Sequence, residues 1–147
     1  MKNQKEYNPK SQLNLRSLVI LSRTAQTVHR REMKTIKESG LTVSQFGVLE
    51  ALYHKGPLRI SVVTEKILST GGNMTVVINN LVKNGLIKKY KDDNDGRATI
   101  VALTDSGIKI MDEYFPAHID NINDIFSALN AAEKEKLIEL LKKLSGI

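Results

Sequence analysis

Asn73, Thr75, Val76, Asn79, Asn80 and Lys83 share one side of an eleven-residue stretch, and Met74, Val77, Ile78, Leu81 and Val82 occupy the other at i, i+3, i+4, i+7, i+8. The outer set is polar and nearly uncharged, an unusual choice for a face that only meets water. It presents hydrogen-bond donors and acceptors. Asn can pair with an adenine edge in a major groove, Thr can reach a base or a phosphate, and an exposed Val76 can rest on a thymine methyl. Taken alone, the stretch fits an ordinary surface helix equally well. Downstream, Asp92-Asp93-Asn94-Asp95-Gly96-Arg97 gathers three carboxylates, which invites a test for calcium. With Gly96 as the sixth loop position, Lys91 falls first and Ala102 twelfth, where ligands are required, so a calcium loop does not fit. Arg97 beside these carboxylates suits a different role. Held by Asp95 and pointed outward, it matches a narrow minor groove. The plainer reading is a surface ion pair, worth little.

These residues need elements to position them. Leu15, Leu18, Val19, Ala25, Val28, Met33 and Ile36 recur at helical spacing, predicting one long amphipathic helix over about 11–39, ended by Gly40. Residues 1–10 are polar and read as a flexible arm. Thr42 and Gln45 form a capping box for a second helix through about Lys55, with Phe46, Leu49, Leu52 and Tyr53 inward. Gly56-Pro57 breaks it, Leu58-Arg59-Ile60 suits a very short strand, and Ser61 is expected to cap a two-turn helix burying Val63 and Ile67. Ser69-Thr70-Gly71-Gly72 is a turn, and Asn84-Gly85 closes the helix that follows. Leu86–Lys91 and Ala98–Thr104 read as two strands of a hairpin, for which Asp95-Gly96 is a turn signal. Thr104 caps a helix to about Ala128, expected to bend or break near Pro116. Asn130 with Glu133 caps the last helix, whose Leu137, Leu140, Leu141 and Leu144 are too apolar for water. They are expected to pack on the first helix and on the same elements of a second chain. The fold class is mainly α with a small β-hairpin, α+β.

The 147 residues suit one domain. Twenty-two Lys and Arg against 16 Asp and Glu give a net charge of +6, concentrated as +5 over residues 10–40 and +3 over 57–104, with −3 beyond. Such a body suits a polyanion, either nucleic acid or an anionic membrane surface. No apolar run approaches the roughly 20 residues of a spanning helix, and no apolar leader stands at the start, so a cytoplasmic protein is expected. Without cysteine there is no disulfide, thiolate metal site or cysteine redox switch.

Three stretches together resemble the MarR-type winged helix-turn-helix transcriptional regulators: Leu41-Thr42-Val43-Ser44-Gln45-Phe46-Gly47-Val48-Leu49, then Leu81-Val82-Lys83-Asn84-Gly85-Leu86-Ile87, and Asp95-Gly96-Arg97 followed by Val101-Ala102-Leu103-Thr104-Asp105-Ser106-Gly107. The last, an Asp-x-Arg wing leading into a Leu-Thr-x-x-Gly helix start, is the most specific. The resemblance implies a single domain over 11–147, with a winged core over about 41–104 and dimerisation helices over about 11–39 and 105–146. It also implies a homodimer that reads the half-sites of a pseudo-palindromic operator in double-stranded DNA, about 10 base pairs apart. The helix from Asn73 would enter the major groove, and Arg97, steadied by Asp95, the minor groove. Ser61 with Ser69 and Thr70 of the turn, and Lys89 of the wing, are assigned to the same surface. Many members carry Arg after the Thr that is here Thr75, whereas this chain has Val76, so base reading must lean on Asn73, Thr75 and Asn79. The run Gly72-Asn73-Met74-Thr75-Val76-Val77 is similar to the branch associated with quinone and phenolic-compound resistance.

Members of the family commonly release DNA when a small aromatic or phenolic ligand fills the junction between dimerisation helices and DNA-binding lobe, or when a cysteine is oxidised. The second route is closed here. His29, Met33, Tyr53 and His54 are candidate pocket members by position, though each also suits an ordinary packed or surface role. The expected function is therefore a homodimeric repressor released by such a ligand. An enzyme finds little support: there is no phosphate loop or cysteine nucleophile, and His29, His54 and His118 lie far apart in sequence. No cofactor or metal is expected. A winged helix used for protein contacts is the competing class, and the basic helix face with Arg97 argues against it.

Overall fold

Thr42 and Gln45 exchange the two hydrogen bonds of a capping box, Gln45 N–H to Thr42 Oγ1 at 3.1 Å and Thr42 N–H to Gln45 Oε1 at 3.0 Å. They start the helix on which the rest is packed. The computed structural model describes residues 5–67 and 73–146, and within them that helix is α2, Val43–Lys55. It buries Ser44, Phe46, Val48, Leu49 and Leu52. Val48 joins the expected stripe because other helices and the sheet enclose α2 on several sides. Tyr53 is only half-buried. Each fully buried large apolar side chain contributes about 1.5–3 kcal/mol.

Helix α1 spans Pro9–Glu38, starting ahead of the expected Ser11. Asn8 Oδ1 accepts from Ser11 N–H at 2.8 Å and Pro9 takes the first turn, where its missing N–H costs nothing. Residues 9 and 10 thus belong to the helix and not to an arm. At 1.5 Å per residue α1 is about 45 Å long. Only its C-terminal part, with buried Thr35 and Ile36, is covered by its own chain.

Strand β1, Leu58–Arg59, pairs with β3, Thr99–Leu103, which also pairs with β2, Ile87–Lys91; all pairings are antiparallel, in the order β1-β3-β2. Helix α3, Ile60–Lys66, begins directly from β1. Arg59 occupies the cap position without a side-chain cap bond, so Ser61 lies inside the helix and is not its cap. The pairing of Arg59 with Ile100 fixes the strand's last residue and moves the helix start two residues earlier, from Val62 to Ile60.

Helix α4, Met74–Lys83, buries Met74, Ile78 and Leu81. It ends at Gly85, whose φ of 72° lets Leu86 N–H reach Leu81 O at 3.0 Å and Gly85 N–H reach Val82 O at 3.0 Å. That doubled-back end delivers the chain into β2. The hairpin loop closes through Asp92 N–H to Ala98 O, 3.1 Å, and Ala98 N–H to Asp95 O, 2.9 Å. Gly96 does not take a positive φ, so the turn relies on carboxylate caps instead of a left-handed glycine.

Helix α5, Asp105–Ile125, runs unbroken through Pro116 and stops short of Ala128. Thr104 accepts from Gly107 N–H at 3.2 Å and donates its hydroxyl to Gly85 O at 2.6 Å, joining the start of α5 to the end of α4. Helix α6, Ala131–Ser145, has the expected Asn130/Glu133 capping box and no buried residue. Leu137 is half-buried and Leu21 of α1 shares a shallow apolar hollow with Ile138, Leu141 and Leu144, but Leu140, Leu141 and Leu144 remain exposed, so the expected packing on the first helix is made only in part within the chain. No described helix is long and apolar enough to cross a membrane.

Candidate nucleic-acid interface

The buried side of α4 fixes which side chains face out. With Met74, Ile78 and Leu81 in the core, Thr75, Val76, Asn79, Asn80 and Lys83 are exposed, Val76 by 52%. Asn73 is the cap, its Oδ1 accepting from Thr75 N–H at 3.1 Å. These residues form one continuous face, as the spacing requires. Ser61 is exposed on α3. Ser69 and Thr70 lie outside the described residues.

Beside α4 stands the wing. Lys89 on β2 donates from Nζ to Asn79 Oδ1 at 3.2 Å, coupling strand and helix directly. Lys88, Tyr90 and Lys91 are exposed on the same strand, Lys91 on the face that carries Lys89 and Lys88 on the opposite one.

Asp95 holds Arg97 differently from the expectation. Its Oδ1 accepts from the backbone N–H of Arg97 at 3.1 Å, an Asx-type turn that orients the main chain and leaves the guanidinium exposed without an internal partner among the described residues. The carboxylate that takes an arginine side chain is Asp92. Arg59 Nη2 lies 2.7 Å and Nε 2.9 Å from Asp92 Oδ2, a fork that ties β1 to the root of the wing loop. Asp92 Oδ1 also accepts from Asn94 N–H at 3.0 Å. This backbone bond first, and the Arg59 side chain second, lower the Asp92 pKa below the usual carboxylate value. The sequence held no signal for this pair, whose members are 33 positions apart.

A separate cavity of about 390 Å³ opens where α1 meets α2 and α3. Ile36, Val43, Phe46 and Ile67 give it apolar walls, and His29, Glu32, Glu50 and His54 are its polar members. Of the four candidate pocket residues, His29 and His54 line it. Met33 and Tyr53 do not. Tyr53 instead donates its hydroxyl to Asp112 at 2.6 Å across the α2–α5 contact, and that bond, with burial, raises its pKa. Behind the cavity wall is His118, 1% exposed, which sequence reasoning did not single out as a pocket neighbour. Its Nδ1 is 2.8 Å from Thr35 Oγ1, its ring lies 4.8 Å from that of Phe46, and its Nε2 is 4.0 Å from Glu32 Oε1 without a hydrogen bond. Glu32 thus stands between His29, at 3.4 Å, and His118. Arg31 and Asp124, 2.9 Å apart, continue the same α1–α5 seam.

Over residues 31–114 the chain matches the family described as Transcriptional regulator SarA/Rot, a span that includes α2 to β3 and both parts of the proposed surface. It is 35% identical to the uncharacterized HTH-type transcriptional regulator YkoM of Bacillus subtilis, across 84% of this chain and 80% of that one. It is 32% identical to the HTH-type transcriptional regulator MhqR of the same organism, across 89% and 90%. Among solved structures it is similar to BpsR of Bordetella bronchiseptica, whose DNA binding is regulated by 6-hydroxynicotinic acid, with a TM-score of 0.72, 28% identity and coverage of 88% and 98%. The chain therefore belongs to the SarA/Rot group of MarR-type winged helix-turn-helix proteins, which are DNA-binding transcriptional regulators.

Proposed function

We propose that two copies of this chain bind a pseudo-palindromic operator and repress transcription until a small aromatic or phenolic ligand releases them. The observation that carries the DNA geometry is the α4 face: neutral hydrogen-bonding groups, with Lys83 at its end, Lys89 hydrogen-bonded to it and the exposed Arg97 guanidinium on the wing. Neutral groups discriminate bases, and the surrounding cations bind phosphate or, for Arg97, a narrow minor groove. Residues 41–104 act as the DNA-reading core. The flanking helices, about 11–39 and 105–146, join two such cores at one helical turn of DNA, and the protein works in the cytoplasm. Repression follows from a dimer covering promoter DNA.

The ligand reading rests on where the cavity is. At about 390 Å³ it falls in the range of small-molecule pockets. Its walls come from α1, which carries the exposed apolar ridge, and from α2 and α3, which carry α4 and the wing. A ligand that fits one spacing of these elements better than another shifts the dimer away from operator geometry. The aromatic character of the BpsR effector supports the same ligand class here. The test is recovery of genomic DNA fragments bound by the purified protein, with and without added phenols. Enrichment of a palindromic sequence that phenol abolishes is expected; recovery of random fragments, or of the same fragments at the same affinity with every phenol tried, would overturn the reading at its first or second half respectively.

A further inference from the structure

Asn79 joins the recognition helix to the wing through a side-chain hydrogen bond, and the contact has a polarity. The Lys89 ammonium has donors only, so the Asn79 atom 3.2 Å from it is the carbonyl oxygen, and the amide N–H2 is the end turned away from the wing. Asn73 is committed in the same sense: a backbone N–H takes its Oδ1 at 3.1 Å, and its N–H2 is again the other end. An asparagine pairs with adenine by accepting from N6 and donating to N7, which needs both ends of the amide. At Asn79 the accepting end faces a cation, and an adenine amino group brought to it would crowd donor against donor. Guanine is the opposite case. Its N7 and O6 are both acceptors, matched by two neighbouring donors, the Asn79 N–H2 and the Lys89 ammonium.

We propose that Lys89 is a specificity-determining residue that locks the Asn79 amide donor-outward, so that α4 selects guanine over adenine at the base pair Asn79 meets. The inference rests on α4 reading the major groove. Lys89 acts partly through Asn79, and a phosphate contact alone would not produce a base preference.

The experiment is in vitro selection from randomised half-sites with the full-length wild-type chain, Lys89→Met, Lys89→Arg and Asn79→Ala, alongside affinity for random DNA at several salt concentrations. Lys89 and Asn79 are both exposed, and thermal melting checks that each variant folds. The wild type is expected to select guanine at one position per half-site. Asn79→Ala makes that position indifferent, and Lys89→Met moves it toward adenine, changing the guanine-to-adenine ratio by roughly tenfold. Lys89→Arg, which keeps donors on a long stem, retains guanine. The proposal is overturned if Lys89→Met weakens every sequence alike and leaves the base preference unmoved, or if the wild type selects adenine at the position that Asn79→Ala makes indifferent. A wild type that selects a palindrome at which Asn79→Ala changes nothing would instead remove the reading of α4 on which the proposal stands.

Discussion

Arg97 and Asp92 divide the work of the wing between an open cation and a closed ion pair. Asp95 fixes the backbone of Arg97 and leaves its guanidinium exposed, the geometry the proposed groove contact needs. Arg97→Ala should weaken binding to all DNA sequences and lower the log–log salt slope by about 0.9 for each phosphate no longer neutralised. Titration of binding against salt measures this, and an unchanged slope and affinity would take the wing out of the mechanism. Asp92 predicts a pH effect of defined sign. A carboxyl with a lowered folded-state pKa stabilises the wing above its unfolded value, about 3.9, and that contribution disappears as pH falls through the lower folded value. Carboxyl NMR should find the Asp92 midpoint below the free aspartate value, and Arg59→Ala should raise it. A midpoint unmoved by Arg59→Ala would show that the Asn94 backbone bond alone sets it.

Where α4, the wing and α5 meet, one glycine keeps the elements at their distance. A Cβ on Gly107 would collide with the Leu86 carbonyl oxygen, the same oxygen that accepts from Thr104 N–H at 3.1 Å. The Leu-Thr-x-x-Gly motif thereby acquires a physical reason. Thr104 staples the start of α5 to Gly85, and Gly107 lets the helix approach the backbone that leads into β2. Gly107→Ala should destabilise the fold by about 1–3 kcal/mol, read as a lower denaturant midpoint, because the obstruction is backbone and cannot swing aside. Unchanged stability would mean that the hairpin shifts freely relative to α5. The capping boxes at Thr42 and Asn130, the end of α4 at Gly85 and the two wing strands were all legible in the sequence, since each depends on residues within a few positions of one another. The start of α3 was not, because a strand pairing with β3 overrides the local cap signal of Ser61.

On the scale of the whole molecule, apolar surface is left over at two places. Along the N-terminal half of α1, Leu13, Leu15, Leu18, Val19, Ile20 and Leu21 are exposed, Leu18 by 60%; on α6, Leu144 is exposed by 71%. A monomer rarely leaves so many large side chains in water on adjoining stretches. If these faces join the proposed dimer, Leu18→Glu with Leu144→Glu should leave the chain monomeric at micromolar concentration where the wild type is dimeric, measured by analytical ultracentrifugation, and abolish tight operator binding. A variant that still sediments as a dimer would place the interface elsewhere.

Amphipathic spacing and cap residues within the sequence determined the course of most helices and the outward face of α4, because these depend on neighbours three or four positions apart, and two apolar runs around a turn signal marked the wing. Tertiary structure alone decided that Lys89 turns the Asn79 amide, that Arg59 closes on Asp92 and that His29 and His54, but not Tyr53, share a cavity. Each of those outcomes depends on two side chains from different elements meeting at hydrogen-bond or packing distance, and that meeting is fixed only when the core around α2 has formed.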